Sequence, residues 1–215
     1  MKYIEFLEAL FLNLCNPAIP VSTISKIFLK YVMQTNPKQL ILGIGNVLQK
    51  DDGIGVYAAE YLLHNYTFTP DIEIINGGVE GIKLFDLFIE YSEVVILDTI
   101  ALEDTPGSIY NIPAEELGGY GLNSGSAHEI GVLQCLDMLE LQGKPKPKSN
   151  MIAIVPAEIT FAFGLSSELH DVFDRYISVI LSDLRDRGIT ATQKAETISL
   201  EKIIMKFKDP ASFRA

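Results

Sequence analysis

Two short apolar runs constrain this chain most. EVVILD, residues 93–98, and MIAIVP, residues 151–156, are apolar without alternation. A strand with one wet face alternates polar and apolar residues. A continuous run needs cover on both faces, as the central strands of a parallel sheet have. Gln39–Gly43 is a third such run, ending in glycine, and Asp71–Asn76 alternates and then meets Gly77-Gly78, which breaks it. SIYNIP, residues 108–113, reads as a weaker strand. Helical periodicity fills the spaces between. Ile54, Ala58, Tyr61 and Leu62 share one face of a helix from Gly53 to about Tyr66, and IKLFDLFIEY follows the second strand. From His128 to about Leu141, Ile130, Leu133, Leu136 and Met138 point inward. Ser166–Arg187 carries the stripe Leu169, Phe173, Ile177, Ile180 and Leu184, with a serine to cap its start and Gly188 to end it. Strands alternating with helices predict an α/β three-layer sandwich: a mainly parallel, twisted sheet of about five strands with helices on both faces.

Residues 39–190 hold this pattern, and residues 191–215 read as a polar, then weakly amphipathic tail. Residues 1–38 differ. FLEALFLNLCNPAIPVSTISKIFLKYV is apolar, but Asn13, Asn16, Pro17 and Pro20 interrupt it. Glu8 and Lys26 flank a stretch shorter than the ~20 apolar residues a span needs. MKYIEFLE lacks the basic start of a signal peptide. The segment reads as an amphipathic extension packing on the domain or on a partner, or else as an upstream start with Met33 as the natural first residue. No stable membrane insertion is expected. A net charge of −11 excludes nucleic acid as a partner, because phosphate binding needs clustered Lys and Arg. Only Cys15 and Cys135 occur, so a reducing cytoplasm is expected and a disulfide framework is not. A monomer is expected.

The chemistry concentrates where strands end. In open α/β sheets ligands collect beyond the carboxyl ends of the strands. ILGIGNVLQKDDGIG, residues 41–55, begins like a phosphate loop, yet Leu48 stands where a dinucleotide fingerprint has its third glycine, and no Gly-Lys-Ser/Thr follows. Asp51 and Asp52 would repel a pyrophosphate at the helix start. One aspartate suffices to cap a helix, which leaves the second over. Asp98 closes the run of residues 93–98, and if that strand lies beside the first, Asp52 and Asp98 converge. Two carboxylates in one cleft oppose each other's ionisation, and a proton or a divalent metal resolves the conflict. His128 follows the small run GLNSGSA and begins a helix, where neutral imidazole, the ligating form, is favoured. His64 and His170 lie on polar-faced helical stretches and read as surface residues. Asp52, Asp98 and His128 thus form a candidate metal triad with mixed O/N ligation, or an acid–base site with a carboxylate as general base. Cys135 lies within an apolar helical pattern, where a thiol is usually inert.

GIGNVLQKDDGIGV, INGGVEG, VVILDTI, SAHEIGV and VPAEITFAFGLS occur in this order. Together they resemble the nickel–iron hydrogenase maturation endopeptidases over about residues 39–188. The resemblance implies that Asp52, Asp98 and His128 are the metal-binding and catalytic residues. Many relatives carry Glu in place of Asp52, and Asn76 stands where Asp often precedes Gly-Gly, so Asn76 receives no role. The implied reaction removes a C-terminal peptide from the hydrogenase large-subunit precursor after nickel insertion. The implied metal is nickel supplied by the substrate and not held tightly by the free protease. Asp51→Ala is then expected to be milder than Asp52→Ala. Two other classes fit the same residues: a self-contained metal-dependent peptidase or amidohydrolase, and a non-catalytic acidic module that binds a metallated precursor.

Overall fold

The computed structural model describes residues 38–117 and 127–211, except for the side chains of residues 127–130 and 133. All of the extension read over residues 1–38 except Lys38, and residues 118–126, lie outside the described residues. Elements follow in the order β1 (Gln39–Ile44), α1 (Ile54–Asn65), β2 (Tyr66–Thr69), β3 (Glu73–Gly78), α2 (Phe85–Glu90), β4 (Glu93–Thr99) and β5 (Ile109–Pro113). Then come α3 (Ala127–Leu141), β6 (Lys148–Ile154), α4 (Ser167–Asp186), β7 (Thr190–Gln193) and α5 (Leu200–Lys208). The main sheet has five strands in the order β3-β1-β4-β6-β5. β3, β1, β4 and β6 are parallel, and β5 runs antiparallel at the edge.

The strand read from EVVILD is the middle one, and its side chains split by pleat between two cores. Val94, Ile96 and Ile100 pack with Leu84, Phe88 and the inner face of α3. Val95 and Leu97 pack with α1, α4 and Ile203 of α5. Both faces are therefore covered, as the lack of alternation requires. The α4 stripe is buried as its spacing predicts, joined by Tyr176. Ser166 caps it, accepting from Leu169 N at 3.3 Å.

Three expectations are revised. The pair Gly77-Gly78 disturbs β3 without ending it: the register with β1 shifts at Gly77, and the strand continues through Gly78, whose carbonyl accepts from Gly45 N at 3.0 Å. The inner face of α3 is Val132, Cys135, Leu136 and Leu139, with Met138 only half-buried, while Ile130 and Leu133 have side chains outside the description. The helix read to about Tyr66 ends at Asn65, and residues 66–69 form β2, which pairs antiparallel with β7 at the start of the segment read as tail. The rest of that tail forms α5, which Ser199 caps and which buries Leu200 and Ile203. Cys135 is inert as expected: it is fully buried, and burial pushes its thiol up to about 11. No helix among the described residues is long and apolar enough to cross a membrane.

Candidate active site at the carboxyl edge of the sheet

β1 and β4 are neighbours, with Gly43 beside Leu97, so the loop after β1 meets the end of β4. Two glycines allow that meeting. At Gly45 φ is +126°, and a Cβ would lie 1.8 Å from the Asp52 carbonyl oxygen. A Cβ on Gly55 would lie 2.1 Å from Leu97 O and 2.4 Å from Ile44 O. The GxG beginning therefore marks backbone contact between turn, helix and strands, not a phosphate cradle. Any side chain at these points would push the turn carrying Asp52 off the end of β4.

Asp52 sits in a 3-10 turn, Lys50–Gly53, and is 3% exposed. Its Oδ2 accepts from Asn46 N at 2.9 Å. Its Oδ1 accepts from Thr99 Oγ1 at 3.3 Å. Asp98, fully buried, follows Ile96 by two residues and so leaves β4 on the face covered by α2 and α3. Its Oδ1 accepts from Thr99 N at 2.7 Å. Thr99 thus touches both carboxylates, one through its backbone and one through its hydroxyl. Below this point Tyr176 donates its hydroxyl to Ile152 O at 2.7 Å. Burial, and after it the Asp98 charge, hold the Tyr176 phenol well above its ordinary range, so it remains a neutral donor.

His128 is the second residue of α3. Its side chain lies outside the described residues. The first turns of α3 do stand at the same edge: Gly131 packs so tightly on Gly81, just beyond β3, that a Cβ would come within 2.7 Å of Gly81 Cα. Among the described residues no group of three His, Cys, Asp or Glu is placed to hold a metal. The structure therefore brings together Asp52 and Asp98, and sets the backbone of the third candidate at the start of the helix on the Asp98 face. Elsewhere, His170 Nε2 lies 3.0 Å from Glu201 Oε1 on the surface. His64 is half-buried, 3.5 Å from Glu60 and beside Lys206.

Asp51 is the residue that sequence reasoning missed. It caps no helix, since the N-cap of α1 is Gly53 and no side chain bonds there. It is fully buried and accepts three backbone N–H groups from the loop after β6, far along the chain. Ala157 N and Glu158 N reach Oδ2 at 3.0 and 2.8 Å, and Ser166 N reaches Oδ1 at 2.6 Å. Lys50 adopts φ +54°, a left-handed conformation that costs about 1–2 kcal/mol for a non-glycine residue. In it, Lys50 N donates to Ala162 O at 2.7 Å, and its ammonium pairs with Glu158. Tyr57 adds a further tie, with its hydroxyl accepting from Gly164 N at 3.1 Å and donating to Val47 O at 3.2 Å. The loop after β6 is therefore fixed to the turn after β1 at both of its ends. The two adjacent aspartates divide the work: Asp51 fixes the loop, and Asp52 faces the end of β4.

The chain was compared with known proteins. The hydrogenase maturation protease family model matches residues 56–183. That span contains Asp98 and His128 and begins just after the turn that carries Asp52. The hydrogenase 2 maturation protease of Escherichia coli (strain K12) is 28% identical over 153 residues, covering 71% of this chain and 93% of its own. Among solved structures, the hydrogenase maturating endopeptidase HybD from E. coli superposes with a TM-score of 0.68 at 26% identity, covering 74% of this chain and 98% of its own. The nickel–iron hydrogenase maturation protease HybD from Thermococcus kodakarensis gives 0.54 at 25% identity, covering 66% and 96%.

Proposed function

The chain belongs to the hydrogenase maturation protease family, and from that premise we propose that it is the endopeptidase that removes the C-terminal peptide of a nickel–iron hydrogenase large-subunit precursor. The observation that carries the reading is the pair of buried carboxylates, Asp52 and Asp98, held at the ends of adjacent parallel strands by one shared partner, Thr99. Two buried carboxylates in one cleft oppose each other's ionisation, and a cation that arrives from outside relieves that conflict. Nickel already seated in the precursor is that cation, and so part of the substrate. Carboxylate oxygens and an imidazole form a borderline donor set that suits nickel. Asp52, Asp98 and His128 would engage it and so position the scissile bond beside them. A docked metal polarises a carbonyl or a bound water. One of the two carboxylates would then take a proton from the attacking water. The enzyme acts as a monomer in the cytoplasm, a setting supported by its two-cysteine composition.

The test is incubation of the protein with nickel-loaded precursor, followed by mass spectrometry of the precursor's C-terminus. One discrete C-terminal truncation is expected. An intact precursor after prolonged incubation with excess protein would leave the acidic-module reading in its place.

A further inference from the structure

Six of the ten large hydrophobic side chains exposed among the described residues stand on loops at the carboxyl ends of β1, β3 and β6: Leu48, Val79, Ile82, Ile159, Phe161 and Phe163. Phe161 is 85% exposed. A loose loop would fold such a ring against the protein, because apolar surface leaves water wherever it can. This loop is not loose. Asp51 holds its backbone at Ala157, Glu158 and Ser166, Tyr57 holds it at Gly164, and Lys50 N holds Ala162 O between the two phenylalanines. The rings are thus presented to solvent by a backbone anchored within two residues of Asp52.

We propose that Ile159, Phe161 and Phe163 form the docking surface for the precursor segment that flanks the scissile bond, an extended polypeptide with apolar side chains. The inference rests on the reading of the chain as a precursor-processing protease. Three observations select this occupant. The loop that carries the three side chains is anchored on Asp51 and Lys50, next to Asp52, so a polypeptide lying on it lies beside the site. The charges beside the loop, Lys50 and Glu158, are paired to each other, which leaves an apolar surface between them. The chain as a whole carries −11, which disfavours an acidic segment. Exposed aromatics on a rigid support also have the composition of interface anchors.

The experiment compares wild-type protein with Phe161→Ser/Phe163→Ser and with Phe161→Leu in steady-state processing of nickel-loaded precursor. Thermal unfolding of all three checks the fold, which an 85% exposed ring does not support. The double variant is expected to raise KM at least about tenfold with kcat within about twofold, since losing anchors costs binding before chemistry. Phe161→Leu is expected to keep most of the wild-type KM. An unchanged KM in the double variant, with wild-type protein active, overturns the docking surface and leaves the processing reading intact. A wild-type protein that cleaves nothing instead removes the processing reading on which the inference rests. A wild-type dimer that the double variant converts to monomer with unchanged KM also overturns it, by giving the patch to a second copy of this chain.

Discussion

Asp98→Asn is expected to leave the precursor uncut while the protein stays folded. The substitution keeps an oxygen that can accept from Thr99 N, as Asp98 Oδ1 does at 2.7 Å. It keeps the volume of the side chain at a fully buried point. What it removes is the negative charge at the end of β4 and with it the proposed cation ligand. The processing rate should fall at least about a thousandfold, as it does when a residue acting in the transition state is lost, with little change in the unfolding midpoint. His128→Ala and Asp52→Ala should reach a similar floor. Asp52→Glu keeps a carboxylate on a longer arm and should retain part of the activity. Gel-based processing assays with urea unfolding in parallel check these outcomes. Asp98→Asn processing at the wild-type rate would remove Asp98 from the site.

Asp51→Ala should fail for the opposite reason. It strips three buried backbone N–H groups of their acceptor at once. Hydrogen bonds to a charged group contribute about 1.5–3 kcal/mol each, and three on one carboxylate are not additive, so a loss of roughly 3–5 kcal/mol of stability is expected. That is a large share of a typical domain's margin of about 5–15 kcal/mol. Asp51→Asn, which keeps one acceptor oxygen, should lose less. Urea unfolding reads the effect as a lower midpoint at constant slope. The loop carrying Phe161 is released in the process, so processing falls as well. The milder outcome expected from the sequence treated Asp51 as a spare helix cap. A destabilisation below about 1 kcal/mol, the range of a lost cap, would restore that view.

The same residue shows where sequence reading stops. The acid closing EVVILD and the glycines of the first loop announce themselves locally, because a strand end and a tight turn are short-range events. The stripe of α4 and its Ser166 cap are equally local. Asp51 has no such signature. Its partners lie 106, 107 and 115 residues away, and they are backbone groups that any residue could supply. Two adjacent aspartates look alike until the far loop arrives. β2 and β7 are short for a related reason: each has four residues and, among the described residues, finds its only sheet partner in the other, so neither develops a long apolar pattern. The break expected at Gly77-Gly78 overrated glycine's freedom. Gly77 is packed against Leu42 and Leu84, where a Cβ would come within 2.9 Å of Leu42 Cδ1, so tertiary contact keeps the strand paired across an irregularity at Gly77, where its register with β1 shifts. On α3 the expected face included Met138, whereas the sheet and Gly81 select Cys135 and Leu139.

The proposed chemistry turns on where the metal comes from. If His128 joins Asp52 and Asp98, two carboxylates and one imidazole should engage a metal presented by another molecule. They lack the thiolate- or histidine-rich donor sets that hold zinc firmly. The decisive measurement treats the purified protease with chelator, removes the chelator, and follows precursor C-termini by mass spectrometry with nickel-loaded and nickel-free precursor side by side. The account predicts full processing of the nickel-loaded precursor by the stripped protease and none of the nickel-free form, even with protease in excess. Activity lost on stripping and restored by zinc would contradict it, and would place a resident metal on Asp52, Asp98 and His128.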